Sequence, residues 1–105
     1  MNVQLLHFTA CPHWRTVHAR LTEALTRAGL PDQPVELVEV GNDEDAEALL
    51  FPGSPTVRLD GNDPFPHADG AHGLTCRVYR TPDGLAGSPT VEQLTEALVA
   101  ARGPR

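Results

Sequence analysis

Lysine and isoleucine are absent from the sequence, and its eight basic residues are all arginine. We interpret this bias as the codon usage of a GC-rich, bacterial genome. The arginines are scattered along the chain and the formal net charge is −6, whereas a protein that binds nucleic-acid phosphates needs a basic face. We therefore expect no nucleic-acid partner.

Long apolar runs are missing as well. No segment approaches the roughly 20 apolar residues that cross a membrane, and no charged and then apolar leader precedes Val3. We therefore expect a cytoplasmic protein with no membrane partner.

Cysteine is scarce, because the chain has only Cys11 and Cys76. In the cytoplasm such thiols stay reduced unless they take part in catalysis or redox sensing. The histidines at positions 7, 18, 67 and 72 have no ligand-like spacing with one another, which argues against a structural zinc site.

The length of 105 residues suits one domain with a core of its own. We expect this domain over residues 1–102, with a frayed tail at 103–105. Apolar patterns and turn residues predict strands over 3–8, 35–40, 56–60 and 74–79, and helices over about 12–28, 43–50 and 91–102. The first strand, helix and second strand have the spacing of a crossover that leaves the two strands parallel. The polar stretch of residues 62–73 is long for a connection, and such loops are usually functional or disordered.

Cys11 stands where the first apolar run ends and the first helical pattern begins. Pro12 suits the first position of a helix, which puts Cys11 at the N-cap. There its sulfur would face free backbone N–H groups and the positive end of the helix dipole, and both favour the reactive thiolate. The alternative is an inert, partly buried cysteine, since free cysteine packs well as a small apolar side chain.

The second informative stretch is Gly-Ser-Pro-Thr-Val at residues 53–57, which leads into a predicted strand. The same five residues recur at 87–91. There they lead into a helix, because Thr90 and Gln93 form a capping-box pattern. We therefore do not interpret the two copies as a structural repeat.

Taken together, a strand, Cys11-Pro12 at a helix start and a later Gly-Ser-Pro-Thr-Val opening another strand resemble the thioredoxin-like superfamily. Glutaredoxins in particular carry Cys-Pro at this place. The resemblance implies a thioredoxin-like α/β fold, with a four-stranded mixed sheet flanked by about three helices. It also implies that Pro55 corresponds to the cis-proline of the superfamily. In such proteins the loop before this proline lies against the active cysteine, and the backbone of the preceding residue, here Ser54, can pair with an extended thiol-bearing ligand.

The activity implied by this resemblance is redox or thiol-transfer chemistry of the monothiol type through Cys11, because Trp14 stands where a dithiol protein has its second cysteine. The partner would be a low-molecular-weight thiol or a thiol-bearing protein, with no bound cofactor beyond such a thiol as co-substrate. Trp14, Ser54, Pro55 and Thr56 would form the substrate-binding walls. His13 either steadies the thiolate or donates a proton, or is simply an exposed residue of the first helical turn.

Cys76 lies in a segment where Leu74, Cys76 and Val78 alternate with polar or larger residues, so we expect it on the apolar face of a strand. In the expected sheet this strand runs antiparallel to that of residues 56–60, which leaves Cys76 roughly 13 Å from the active end of the sheet. A disulfide needs Cα atoms within about 7 Å. This placement makes Cys76 a core residue, although it could resolve a mixed disulfide on Cys11 if it lay closer.

A second resemblance gives Cys76 another role. Organomercurial (alkylmercury) lyases also place one cysteine at a strand-to-helix junction and another on a later strand, before a helix introduced by Pro-Thr, as at Pro89-Thr90. The resemblance implies mercury or soft-metal binding by Cys11 and Cys76, and thiolates are suitable ligands for such metals. The family also needs an aspartate where this chain has Trp14 and an N-terminal helical domain, so we expect metal capture rather than carbon–mercury cleavage. A third hypothesis is a non-catalytic thioredoxin-like module that binds a partner through the same groove.

Overall fold

Five short strands and three helices make up the part of the chain that the computed structural model describes, residues 1–65 and 73–104. Their order is β1 (Val3–His7), α1 (Trp14–Arg27), β2 (Glu36–Glu39), α2 (Asp43–Ala48), β3 (Thr56–Leu59), β4 (Tyr79–Thr81), β5 (Gly84–Ala86) and α3 (Val91–Arg102). The mixed α/β class and the three helices confirm the sequence prediction.

β1 is the central strand of a three-stranded sheet with the order β2-β1-β3. It runs parallel to β2, where Leu5 faces Leu37, and antiparallel to β3, where Leu5 faces Val57. The parallel pairing of β1 with β2 through α1 is the predicted crossover arrangement.

The predicted four-stranded sheet is wrong. β4 does not join β3 but pairs with β5 in a separate two-stranded hairpin, and nothing in the pattern of residues 84–86 predicts β5. Within the predicted strand over residues 74–79, Thr75 and Arg77 make backbone hydrogen bonds to Ser54, which gives an isolated parallel bridge between Cys76 and Ser54. This segment therefore runs parallel to the loop before β3, and not antiparallel to β3 as expected.

The sheet lies between two layers of helix. Leu5 points to the side of α1 and α3, where it packs with Val17, Leu21 and Leu94, while its neighbour Leu6 points to the side of α2. Alternation along β1 thus supplies both cores from a single strand. The second core is smaller and consists of Leu6, Val40, Ala46 and Phe51.

The helix ends match local sequence signals. Gly29 follows the C-cap of α1 with φ of 79°, a backbone conformation that glycine adopts without strain. The predicted capping box of α3 is present, with Thr90 and Gln93 bonded to each other's backbone N–H at 3.1 and 2.9 Å. Asn42 caps α2 by accepting a hydrogen bond from the N–H of Asp45 at 2.8 Å.

Within residues 1–65 and 73–104, no helix has the length and apolar character needed to cross a membrane. Part of the predicted 62–73 insertion, including His67 and His72, lies outside the described residues, as does Arg105 of the predicted tail.

Candidate functional site

Cys11 lies in a turn directly after β1, and its side chain is buried, with 3% exposed. Its N–H donates to the carbonyl of Phe8 at 3.0 Å. The prediction that Cys11 caps α1 is wrong, because the helix begins at Trp14 and His13 is the N-cap residue. Pro12 and His13 form a bend between the turn and the helix. Cys11 therefore lies two residues before the N-cap of α1, with its thiol beneath the surface.

The Ser54-Pro55 loop reaches the same end of β1. Leu6 faces Thr56 at the end of the antiparallel pairing of β1 with β3, so Phe8 and Ser54 both lie just beyond that end of the sheet. Ser54, Pro55 and Thr56 are all buried, and the Ser54-Pro55 peptide bond is cis, as the resemblance implies. The loop and the turn that holds Cys11 therefore lie at the same end of the sheet.

The backbone of Ser54 is already paired within the protein. Its N–H donates to the carbonyl of Thr75 at 2.8 Å, and its carbonyl accepts from the N–H of Arg77 at 2.9 Å. We call residues 75–77 the strap. The strap occupies the edge at which an added ligand strand was expected, and it places Cys76 directly opposite Ser54.

Arg77 anchors the strap in the interior. Its guanidinium is paired with Asp63 at 2.5 and 3.2 Å, and it donates to the Thr56 hydroxyl and the Phe65 carbonyl, each at 3.1 Å. It also lies 4.5 Å from the centre of the Tyr79 ring. Only 5% of Arg77 is exposed, so removing one partner of this ion pair would leave a buried charge without compensation.

The anchoring of Arg77 reverses the predicted orientation of the segment. Arg77 and Tyr79 are buried, whereas Leu74, Cys76 and Val78 are exposed. The prediction that Cys76 is a core residue is therefore wrong. The inward positions are occupied by Arg77 and Tyr79, which can be buried because Arg77 has an acidic partner and the Tyr79 hydroxyl has a hydrogen-bond acceptor.

Tyr79 ties the hairpin to the Pro55 loop. Its hydroxyl donates to the carbonyl of Pro55, and its ring packs edge-on against Phe65 at 5.4 Å between ring centres. Burial raises the pKa of the Tyr79 hydroxyl; the Arg77 guanidinium opposes this rise, and negative charge at Asp63 or Cys11 adds to it. Tyr79 is thus a neutral donor within electrostatic reach of Cys11.

Trp14 and His7 form a stack beside this loop. Their rings are 4.1 Å apart and nearly parallel, and the Arg15 guanidinium lies 4.8 Å from the centre of the Trp14 ring on the outside. Burial lowers the pKa of His7, although the Phe8 backbone and the charge of Glu39 act in the opposite direction. Among the described residues, four side-chain atoms are buried without a hydrogen-bond partner: His7 Nδ1, Trp14 Nε1, Ser54 Oγ and Arg77 Nε.

His13 packs against the second Gly-Ser-Pro-Thr-Val copy. A Cβ atom on Gly87 would lie only 2.4 Å from the imidazole, so the ring fits because residue 87 is glycine. His13 is partly buried and makes no side-chain hydrogen bond to the start of α1. Its surroundings are those of a packing residue next to the turn of Cys11.

The structure thus brings Cys11 and the Ser54-Pro55-Thr56 loop to one end of the sheet, with Trp14 and His13 on the helical side. Sequence reasoning missed Asp63, Arg77, Tyr79 and His7 as part of these surroundings. The alternation of residues 74–79 predicted that Leu74, Cys76 and Val78 face the core, whereas Arg77 and Tyr79 do so. For His7 a signal existed, since it shares the inward face of β1 with Val3 and Leu5 and ends the strand where Trp14 begins α1.

A scan against protein-family models, a search of curated proteins and a search of solved structures found no match to the chain. The described residues contain no group of three or more histidine, cysteine, aspartate or glutamate side chains arranged to hold a metal ion. Cys11 and Cys76 are both free thiols, and a deprotonated thiol acts as a nucleophile or as a soft-metal ligand.

Proposed function

We propose that this is a thioredoxin-like protein of the monothiol type, in which Cys11 exchanges with the disulfide of a low-molecular-weight thiol. The observation that carries the proposal is the position of Cys11 in the turn after the central strand, at the same end of the sheet as the Ser54-Pro55 loop. A reactive cysteine of the superfamily is expected at this place. Trp14 leaves no second thiol inside the motif.

The proposed exchange needs no resident cofactor. The Cys11 thiolate attacks the R sulfur of a disulfide R–S–S–R′, so that a Cys11–S–S–R bond forms and the R–S–S–R′ bond breaks, releasing R′S⁻, which takes up a proton. A second RSH, as its thiolate, then attacks the R sulfur and releases Cys11 as thiolate together with RSSR. The two steps conserve electrons because each exchanges one disulfide for another.

Two features favour a small substrate over a thiol-bearing protein. Cys11 is 97% buried, since only 3% of it is exposed, and a small disulfide can reach such a thiol through a local opening that a folded partner cannot enter. The strap also occupies both backbone groups of Ser54, on which an extended peptide would need to pair. A low-molecular-weight thiol is therefore the partner that this arrangement supports.

The test uses glutathione disulfide as the probe on the Cys76→Ser variant, with mass spectrometry of the native protein. We expect one adduct, located on Cys11, that a reducing thiol removes, and no adduct on the double variant Cys11→Ser/Cys76→Ser. The rate of alkylation of Cys11 against pH then gives the thiolate fraction. A Cys11 that reacts only after the protein is unfolded would contradict the proposal and favour the non-catalytic binding module.

Soft-metal binding by Cys11 and Cys76 is the second candidate. It is favoured by the parallel bridge between Ser54 and Cys76, which brings Cys76 beside the loop that faces Cys11. Mercury(II) is the probe: we expect binding of one equivalent in the wild type and at least about a tenfold loss of affinity in either single cysteine variant. Equal affinity of the wild type and both variants would exclude a paired site.

A further inference from the structure

The strap puts a thiol where a ligand strand was expected. Cys76 is the residue that faces Ser54, and its two neighbours make the hydrogen bonds on either side. Paired strands lie about 4.8 Å apart, so the Cys76 backbone lies next to the Ser54 backbone. Its side chain is exposed, so the thiol is free to react.

Cys11 lies at the same end of the sheet as Ser54. The hydrogen bond from the Cys11 N–H to the Phe8 carbonyl closes a turn, and the ends of such a turn lie within about 7 Å of each other. The pairing of β1 with β3 ends at Leu6 and Thr56, so Phe8 and Ser54 both lie just beyond that end of the sheet. Both cysteines therefore lie at this end, Cys76 against the Ser54 backbone and Cys11 three residues after Phe8.

From this placement we infer that Cys76 is the resolving cysteine of Cys11. This inference rests on the proposed function. After Cys11 has formed a mixed disulfide with a small thiol RSH, the Cys76 thiolate attacks the Cys11 sulfur. The Cys11–S–S–R bond breaks, RS⁻ leaves and takes up a proton, and a Cys11–Cys76 disulfide forms. Over both steps, one RSSR is reduced to two RSH and the two cysteine thiols are oxidised.

The Arg77 ion pair is the positioning device in this step. Arg77 follows Cys76 directly, and its buried contacts with Asp63 and Thr56 fix the strap against the Ser54 loop. A thiol held in place by the fold has a higher effective concentration than one on a flexible chain, for which the value is in the millimolar range. Asp63 and Arg77 thus act through the position of Cys76 and touch no reacting atom.

The experiment exposes the native full chain, at low micromolar concentration, to mixtures of glutathione and glutathione disulfide, and in parallel to diamide. Trypsin places Cys11 and Cys76 on separate peptides, residues 1–15 and 59–77, so an internal disulfide links these two peptides in the monomer fraction. In the wild type we expect the linked peptides as the main oxidised product. The effective concentration of the Cys76 thiol at Cys11 should be at least about tenfold above that of a thiol on a flexible tether. Each single cysteine variant should carry a mixed disulfide instead.

Asp63→Asn tests the positioning role, because it removes the charge but keeps a side chain of the same shape. We expect it to lower the effective concentration at least about threefold, while the rate of adduct formation on Cys11 in the Cys76→Ser background stays unchanged. An unchanged effective concentration in a folded Asp63→Asn protein would overturn this role.

The remaining outcomes separate the inference from the proposed function. Adducts on Cys11 in Cys76→Ser, together with only mixed disulfides in the wild type, would overturn the resolving role and leave the monothiol exchange intact. Linked peptides in diamide-treated wild type, with no glutathione adduct in Cys76→Ser, would keep the pairing of the two cysteines but overturn the exchange with small disulfides. No modification of Cys11 under either oxidant would overturn both.

Discussion

The two copies of Gly-Ser-Pro-Thr-Val, at residues 53–57 and 87–91, have the same sequence but different structures. The first leads into β3 and the second into α3. Backbone hydrogen bonds from the strap hold Ser54, whereas Ser88 and Pro89 are held by the guanidinium of Arg20, at 3.3 and 2.9 Å. Identical residues thus take their conformation from the segments that contact them.

The threonines of the two copies show the same division. Thr56 is fully buried, its hydroxyl donates to the Gly53 carbonyl at 2.6 Å, and it accepts from Arg77. Thr90 is partly exposed and accepts from the N–H of Gln93 as the cap of α3. Non-local contacts therefore stabilise the first copy, and a local capping motif stabilises the second. Substitutions in the two copies should differ accordingly.

The largest effect is expected from Arg77→Ala, which removes the side chain that joins the first copy to the strap. The largely buried Asp63 side chain would lose the guanidinium that balances its charge, and breaking a buried ion pair costs about 3–5 kcal/mol of the free energy of unfolding. Urea unfolding followed by circular dichroism measures this loss. Arg20→Ala is the matched control at the second copy and should cost at most about 1.5 kcal/mol, since it removes hydrogen bonds that are only partly buried. Equal losses in the two variants would contradict the difference between the copies.

Gly53→Ala should have the next largest effect, about 2–3 kcal/mol. Residue 53 has φ of 132°, which strains any other residue, and a Cβ there would lie 3.2 Å from both the Arg77 Cβ and the Thr75 carbonyl oxygen. Gly61→Ala is the matched control: Gly61 also has a positive φ, of 84°, but a Cβ there would contact nothing within 4 Å. The difference in the free energy of unfolding between the two variants measures the contact with the strap. If Gly61→Ala is as destabilising as Gly53→Ala, the close approach of the strap contributes nothing.

The sequence predicts those parts of the fold that depend on neighbouring residues. The capping box at Thr90, the end of α1 at Gly29 and the parallel pairing of β1 with β2 all follow from local patterns. The strap does not, because its orientation depends on Arg77 meeting Asp63, 14 residues earlier in the chain. Alternation alone assigns an arginine to the exposed face, and this assignment placed Cys76 in the core.

The candidate site divides in the same way. That Cys11 follows the central strand could be predicted, since an apolar run ends there and a helical pattern begins. That its N–H closes a turn with Phe8, so that α1 starts only at Trp14, could not be predicted, because Pro12 fits both arrangements. The N-cap of α1 was expected at Cys11 and lies at His13, two residues later. Cys11 therefore lies in a turn before the helix, with its side chain buried.

Gly87→Ala is expected to cost about 1–3 kcal/mol, because a Cβ there would overlap the imidazole of His13. Residue 87 lacks the positive φ of Gly53, so the cost comes from this one contact. Thermal or urea unfolding of four proteins, the wild type, Gly87→Ala, His13→Ala and the double variant, measures the coupling. We expect His13→Ala to recover most of the loss caused by Gly87→Ala. Additive effects of the two substitutions would show that the ring does not set the requirement for glycine.

The smallest effect is expected from Thr90→Ala, about 1 kcal/mol, which is the usual cost of losing an N-cap side chain. Thr90 lies at the start of α3, where its hydroxyl accepts from the Gln93 N–H at 3.1 Å, so Thr90→Ser should retain nearly full stability. At Thr56, in the first copy, we expect serine to replace threonine less well than it does at Thr90. Thr56→Ala removes the acceptor of the buried Arg77 and should cost about 1–3 kcal/mol, and Thr56→Ser should not recover it fully, because the buried methyl group is also lost. If the serine variants restore both positions equally, the two threonines act alike and the contrast between a buried anchor and a local cap does not hold.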